Sequence, residues 1–142
     1  MRKLALLLAA AGVLSVTAVS LAAGRSANWS AKLTAAQEIP AQTVMAPTAH
    51  GAFTATLSGR QLNWKLTFSQ LSGPATAAHI HLGAKGKAGN VLVPLCGPCK
   101  SGAHGSSSLT VAVVKDFQKH LLYVNVHTKK NPAGEIRGQL GG

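Results

Sequence analysis

Two histidines one residue apart, His79 and His81 in "AAHIHLGAKGKAGN" (77–90), and a third, His127 in "LYVNVHT" (122–128), are the side chains best placed for chemistry. Alternate residues of a β-strand share a face. Ile80 and Leu82 then point into a core, and His79 and His81 project together on the opposite face. In 122–128 the inward set is Leu122, Val124 and Val126, which leaves His127 outside with Tyr123 and Asn125. Imidazoles from two strands of one outer face can converge on an ion, with metal–nitrogen bonds of about 2.0–2.1 Å. Imidazole suits copper, zinc, iron and nickel, and copper heads the divalent affinity order, so copper is the expected metal. Haem with histidine ligation is an alternative, as are surface histidines hydrogen-bonded to loops. His50 and His104, both in expected loops, are candidates for a fourth ligand.

The elements that must position these groups are strands. From Trp29 onward the dominant period is two, with glycine and proline as punctuation. In "QLNWKLTFS" (61–69), Leu62, Trp64, Leu66 and Phe68 take one face. "GAFTATLSG" (51–59) groups Phe53, Ala55 and Leu57, and Ser58-Gly59 turns it towards the next strand. "GEIRGQL" (134–140) groups Ile136 and Leu140, and "NPAG" (131–134) turns the chain between this strand and 122–128. Further strands are expected at Trp29–Ala35, Ala77–Leu82, Val91–Leu95 and Ser106–Val114, with loops at Gln37–His50, Gly83–Asn90 and Cys96–Ser107. No helical stripe stands out. Seven or eight short strands of this kind predict an all-β, antiparallel Greek-key sandwich.

Residues 1–23, "MRKLALLLAAAGVLSVTAVSLAA", have the form of a signal peptide: Arg2 and Lys3, an apolar stretch, then small residues that place cleavage near Ala22–Ala23. An uncleaved anchor is the competing reading, but alanine, serine and threonine dilute the run and no charged stop follows it. The expected product is one domain, residues 24–142, in the periplasm or secreted, with no stable membrane insertion. Lysine and arginine total 14 against 3 acids in the whole chain, a net charge of +11. That excess favours anionic partners. Scattered lysines and few aromatic residues argue against nucleic acid.

"CGPC", Cys96–Cys99, has the spacing of a redox motif, but that chemistry needs a helix N-terminus and "KSGAHGSSS" follows. A disulfide is expected instead in an oxidising compartment, with a Cys96/Cys99/His104 metal site as the lesser option. The few acids leave no credible Ser-His-Asp set, and no phosphate-binding glycine loop occurs in the required context.

"AAHIHLGAKGKAGNVLVPL" and "LLYVNVHTKKNPAGEIRGQL" resemble the two signature blocks of the CHRD domain, and "TAAQEIPAQ" (34–42) resembles its N-terminal block. The resemblance spans about Trp29 to Leu140 and implies an exported all-β domain. It says less about activity, because chordin, for which the domain is named, binds growth factors. The histidine pattern is also similar to that of the copper–zinc superoxide dismutases, β-sandwiches whose copper sits on a His-x-His strand and further outer-face histidines. That likeness implies copper held by His79, His81 and His127, with an open position for superoxide. Asp116 is the single aspartate, so no matching zinc set exists and the implied site is copper alone. Arg137, on the polar parity of its strand, is then the expected guide for the anion, or else a structural partner of Glu135 or a backbone carbonyl. A non-catalytic module for an anionic extracellular partner and a periplasmic copper-holding protein are the rival expectations.

Overall fold

Burial alternates with period two along the strands at 27–34, 50–58 and 61–69, and that alternation builds one side of the molecule. A computed structural model of the chain describes residues 25–142. The strands are β1 (Ala27–Thr34), β2 (His50–Ser58), β3 (Gln61–Ser69), β4 (Ala75–Leu82), β5 (Val91–Cys96), β6 (Ala103–Ser108), β7 (Leu122–Thr128) and β8 (Ile136–Gln139). A short 3-10 turn, Ala35–Gln37, follows β1, and one helix, α1 (Val111–Gln118), precedes β7. All pairings are antiparallel, in the order β5-β4-β7-β8-β1-β2-β3-β6, and the sheet curls until it nearly closes. Strands that are not consecutive in the chain lie side by side at β4–β7, β8–β1 and β3–β6. The expected all-β antiparallel architecture is therefore present, as one nearly closed sheet of eight strands. The expected leader, residues 1–23, lies outside the described residues. No helix among the described residues is long and apolar enough to cross a membrane.

The core is the inward set of each strand. Phe53, Leu62, Leu66, Ile80, Val124 and Val126 are fully buried, as the period-two reading requires. The segment Ser106–Val114 differs from expectation. It is not one strand: β6 ends at Ser108 and α1 starts at Val111. Thr110 caps the helix, its side chain accepting from the Val113 N–H at 3.3 Å. Val113 and Phe117, four residues apart, then share one buried face. Phe117 meets Trp29 edge-on at 5.1 Å. A valine-rich run reads as strand locally, and the cap with this i, i+4 pair overrides that preference.

A second anchor is Glu135, fully buried beside the β7–β8 turn. Its carboxylate accepts from the Ser72 N–H and hydroxyl, the Thr128 hydroxyl and the Asn131 amide. Burial alone would raise its pKa; the hydrogen bonds from Ser72, Thr128 and Asn131 outweigh it and hold the carboxyl below its ordinary value.

Two outcomes follow. Phe117→Ala should cost about 3–5 kcal/mol in urea unfolding, as large core truncations do. Glu135→Gln should cost about 2–3 kcal/mol, because charge-assisted bonds are lost and donors are left unpaired. The depressed pKa means that Glu135 stabilises the fold above its unfolded pKa. That contribution fades as acid protonates it, and unfolding of Glu135→Gln should lose this part of its acid dependence.

Candidate metal centre

The centre is set by the pairing of β4 with β7. Ala77 lies opposite His127, His79 opposite Asn125 and His81 opposite Tyr123. His127 is thus the diagonal neighbour of His79 on the outer face, within reach of its side chain. On the other flank β4 pairs with the edge strand β5, with register irregularities at Ala78/His79 and Ile80/His81. His79 faces Pro94 there, a residue that only an edge strand accommodates. Irregular pairing of this kind re-aims side chains.

The three rings form a cluster. Ring centroids lie 5.6 Å apart for His79 and His81, 4.9 Å for His79 and His127, and 6.1 Å for His81 and His127. One ligand atom from each falls within 4.8 Å of the others. The donors can be assigned. His81 Nδ1 is 2.9 Å from the Gly89 carbonyl and His127 Nδ1 is 2.9 Å from the Pro132 carbonyl. A carbonyl only accepts, so both Nδ1 atoms carry the proton and both Nε2 atoms present lone pairs. His127 Nε2 lies 3.1 Å from His79 Nδ1. Two nitrogens at that separation, each about 2.05 Å from one ion, subtend about 100°, close to the tetrahedral angle. His81 Nε2 is buried beside the Asn125 side chain, without a hydrogen bond of good geometry. An unpaired buried lone pair asks for a reason, and an ion shared with His79 Nδ1 and His127 Nε2 supplies one. The donor set fits a borderline or soft divalent metal and leaves a coordination position open.

Electrostatics favour the neutral, ligating form. Burial, then the adjacent His127 and His81, push His79 down to about 4. Burial also lowers His81 and His127, although the carbonyls of Gly89 and Pro132 act in the opposite sense. Metal binding at neutral pH needs no prior deprotonation.

The groups behind the histidines are a loop and a polar layer. The loop between β4 and β5 is tied down at several points: the Gly89 carbonyl on His81, the Gly89 N–H on the Tyr123 hydroxyl at 3.2 Å, and the Lys87 carbonyl on Arg137 Nη2 at 2.7 Å. A β-carbon at Gly89 would collide with the Leu82 carbonyl, so this close approach requires glycine. Tyr123 stacks on His81 with centroids 4.9 Å apart and planes at 15°, and the Arg137 guanidinium lies over the Tyr123 ring, 3.5 Å from its centroid. His81 is thereby fixed by a carbonyl and by an aromatic face.

The expected residues divide. His79, His81 and His127 come together. His50 and His104 do not join them. His50 starts β2, four strands from β4 and so about 19 Å along the sheet; His104 lies exposed in β6, with Nδ1 near the Gly102 carbonyl. Arg137 is 2 % exposed, and its guanidinium bonds the carbonyls of Ala84 and Lys87. Cys96 and Cys99 are joined as a disulfide, which removes them from any metal site. Tyr123, Asn125, Gly89 and the buried Glu38 complete the layer and were not singled out by sequence. Their signal was present for Tyr123 and Asn125, which share the outward parity of His127.

The lowered histidine pKa values carry a sign. In the unfolded chain His79 takes up a proton near its ordinary 6.5, and in the folded, metal-free protein only near 4. Its contribution to stability is present above 6.5 and is lost as pH falls towards 4. Urea unfolding of the metal-free protein should weaken over that window, and His79→Asn should flatten the change. NMR of the ring carbons should show His79 neutral at pH 6.

No curated protein and no solved structure matches the chain. The model of one family, the CHRD domain, matches residues 29–140, from the core tryptophan of β1 to the last buried leucine after β8. That match takes in both histidine-bearing strands and nearly all of the described chain, and the protein belongs to the CHRD domain family.

Proposed function

We propose that this protein is an exported metalloprotein that holds copper on His79, His81 and His127 and dismutates superoxide. The observation that carries the reading is the convergence of three neutral imidazoles, with His79 Nδ1 3.1 Å from His127 Nε2 and the buried His81 Nε2, which lacks a hydrogen bond of good geometry, beside them. Copper would supply one-electron transfer, accepting an electron from one superoxide and returning it to another. The protein's part is to hold the donors. Gly89 and Pro132 fix the tautomers of His81 and His127, and Tyr123 fixes the plane of His81. His79 and His127 are only part-buried, which leaves a small molecule a way in. The basic surface raises the encounter rate of an anion. CHRD domains are typically extracellular, which agrees with a periplasmic or secreted location. Nucleic acid is not an expected partner, because the lysines are dispersed.

Metal analysis of the protein purified without a histidine tag should find about one copper per chain, and a superoxide assay should show turnover. Replacing any of the three histidines by alanine should weaken copper binding more than tenfold, whereas His120→Ala, whose ring packs near Trp29, should not. Failure of copper, iron and zinc alike to stay bound would end the metal reading. Tight copper without superoxide consumption would make this a copper-holding protein.

A second reading, a non-catalytic module for an anionic extracellular partner, rests on the exposure of Lys32, Lys65, Lys85, Lys87, Lys100 and further lysines. Retention on an anionic polymer that weakens steeply with salt and ignores chelators would support it.

A further inference from the structure

The loop between the 3-10 turn and β2, residues 38–49, turns its longer polar side chains inward and its apolar ones out. Glu38 is buried. Gln42 donates to the Glu135 carbonyl and accepts from the Ala46 N–H, which closes 42–46 into a clamp. The Asn131 side chain accepts from the Val44 N–H at 2.8 Å and donates to the Val44 carbonyl at 2.9 Å. This frame holds apolar groups in water: Met45 is 74 % exposed, Val44 41 % and Ile39 37 %. Among the described residues, the other exposed large apolar side chains are Leu82, Val91 and Val111, each on a different element. Contact of apolar surface with water is unfavourable, and a cluster held there by hydrogen bonds marks a surface that something covers.

The charges beside the loop choose the occupant. Asn131, which grips Val44, belongs to the turn that carries Lys129 and Lys130, both exposed. Ile39, earlier in the loop, shares a cleft with the exposed Lys85. Little offsets these cations: the chain has 3 acidic residues, of which Glu38 and Glu135 are buried and Asp116 lies in α1. The patch therefore matches a surface that is uniformly negative outside and apolar just beneath. A protein partner is the poorer match, because a stable interface covers about 800 Å² on each side, more than three side chains present. A lipid surface requires only that a few apolar groups enter the headgroup boundary while nearby lysines meet negative headgroups.

We propose that loop 38–49 docks the protein reversibly onto an anionic lipid surface. Met45, Val44 and Ile39 enter the headgroup boundary, and Lys85, Lys129 and Lys130 meet the headgroups. The docking needs no metal. It rests on the second reading above for its charge, and makes the anionic partner of that reading a lipid.

The test is cosedimentation of the exported form, residues 24–142, with vesicles of phosphatidylcholine alone or mixed with phosphatidylglycerol. The mixed vesicles should bind it saturably and the neutral ones much more weakly. Met45→Ser should weaken binding to mixed vesicles by about fivefold or more, the scale of one apolar side chain partly withdrawn from water. Lys129→Gln and Lys130→Gln should each weaken it by about fivefold, the scale of one lysine beside an anionic membrane. Val111→Ser, at the exposed start of α1, should leave it unchanged. All four positions are exposed, so the circular dichroism of each variant should match that of the parent. Binding that responds to the lysines and to salt but not to Met45→Ser would overturn the proposal and leave the second reading in place. Retention on an anionic polymer without binding to mixed vesicles would do the same, whereas failure of both would end the two together. A dimer in solution that Met45→Ser dissociates would instead make the patch a contact between copies, and overturn the lipid assignment.

Discussion

The register between β4 and β7 decides what this protein can be. Side chains alternate faces along a strand, so sliding β7 by one residue would send His127 into the core and bring Val126 or Thr128 to the outer face. The inward row Ile80, Val124 and Val126 resists that slip, because each residue is fully buried. Hydrophobic burial on one side of the sheet thus holds imidazoles in place on the other. The tight turn anchored by Glu135 acts in the same sense, tying the end of β7 to the start of β8 and to the loop before β4.

The outer face is not a plain solvated surface. Over β4, β7 and β8 the loop after β4 and the segment after β1 lie down on the sheet, so that His81, Tyr123, Asn125 and Arg137 are buried although their parity is outward. Among the described residues, most of the buried side-chain polar atoms without a partner belong to this layer, those of Glu38, His81, Asn125, Arg137 and Gln139, against Trp29 and Trp64 elsewhere. A fold that satisfies its polar groups so thoroughly around Glu135, and leaves them open here, concentrates its unmet bonding capacity in one place. Such concentration is the usual mark of a site that takes something from outside.

Sequence reading reached the strands and the histidine triad because both depend on period two, a property of neighbouring residues. Phe53, Leu62 and Leu66 and the outward parity of His79, His81 and His127 follow from it directly. What it missed depends on contacts between distant segments. Nothing local tells that Gly89 will reach His81, that Glu38 will be covered, or that Arg137 will be shut beneath the loop rather than stand in solvent. The helix at Val111–Gln118 was missed for a related reason. Its valines favour a strand, and the deciding contact, Phe117 on Trp29, joins residues far apart in the chain.

Pro94 has a bearing on solubility as well as on pairing. β5 is one of the two outer strands of the sheet, and an outer strand offers free backbone donors and acceptors to any other extended chain. Opposite His79, proline removes the donor, and the register irregularities on either side break the straight row that an incoming strand would need. The same irregular edge that frames the histidines also discourages copies of the protein from stacking into fibrils.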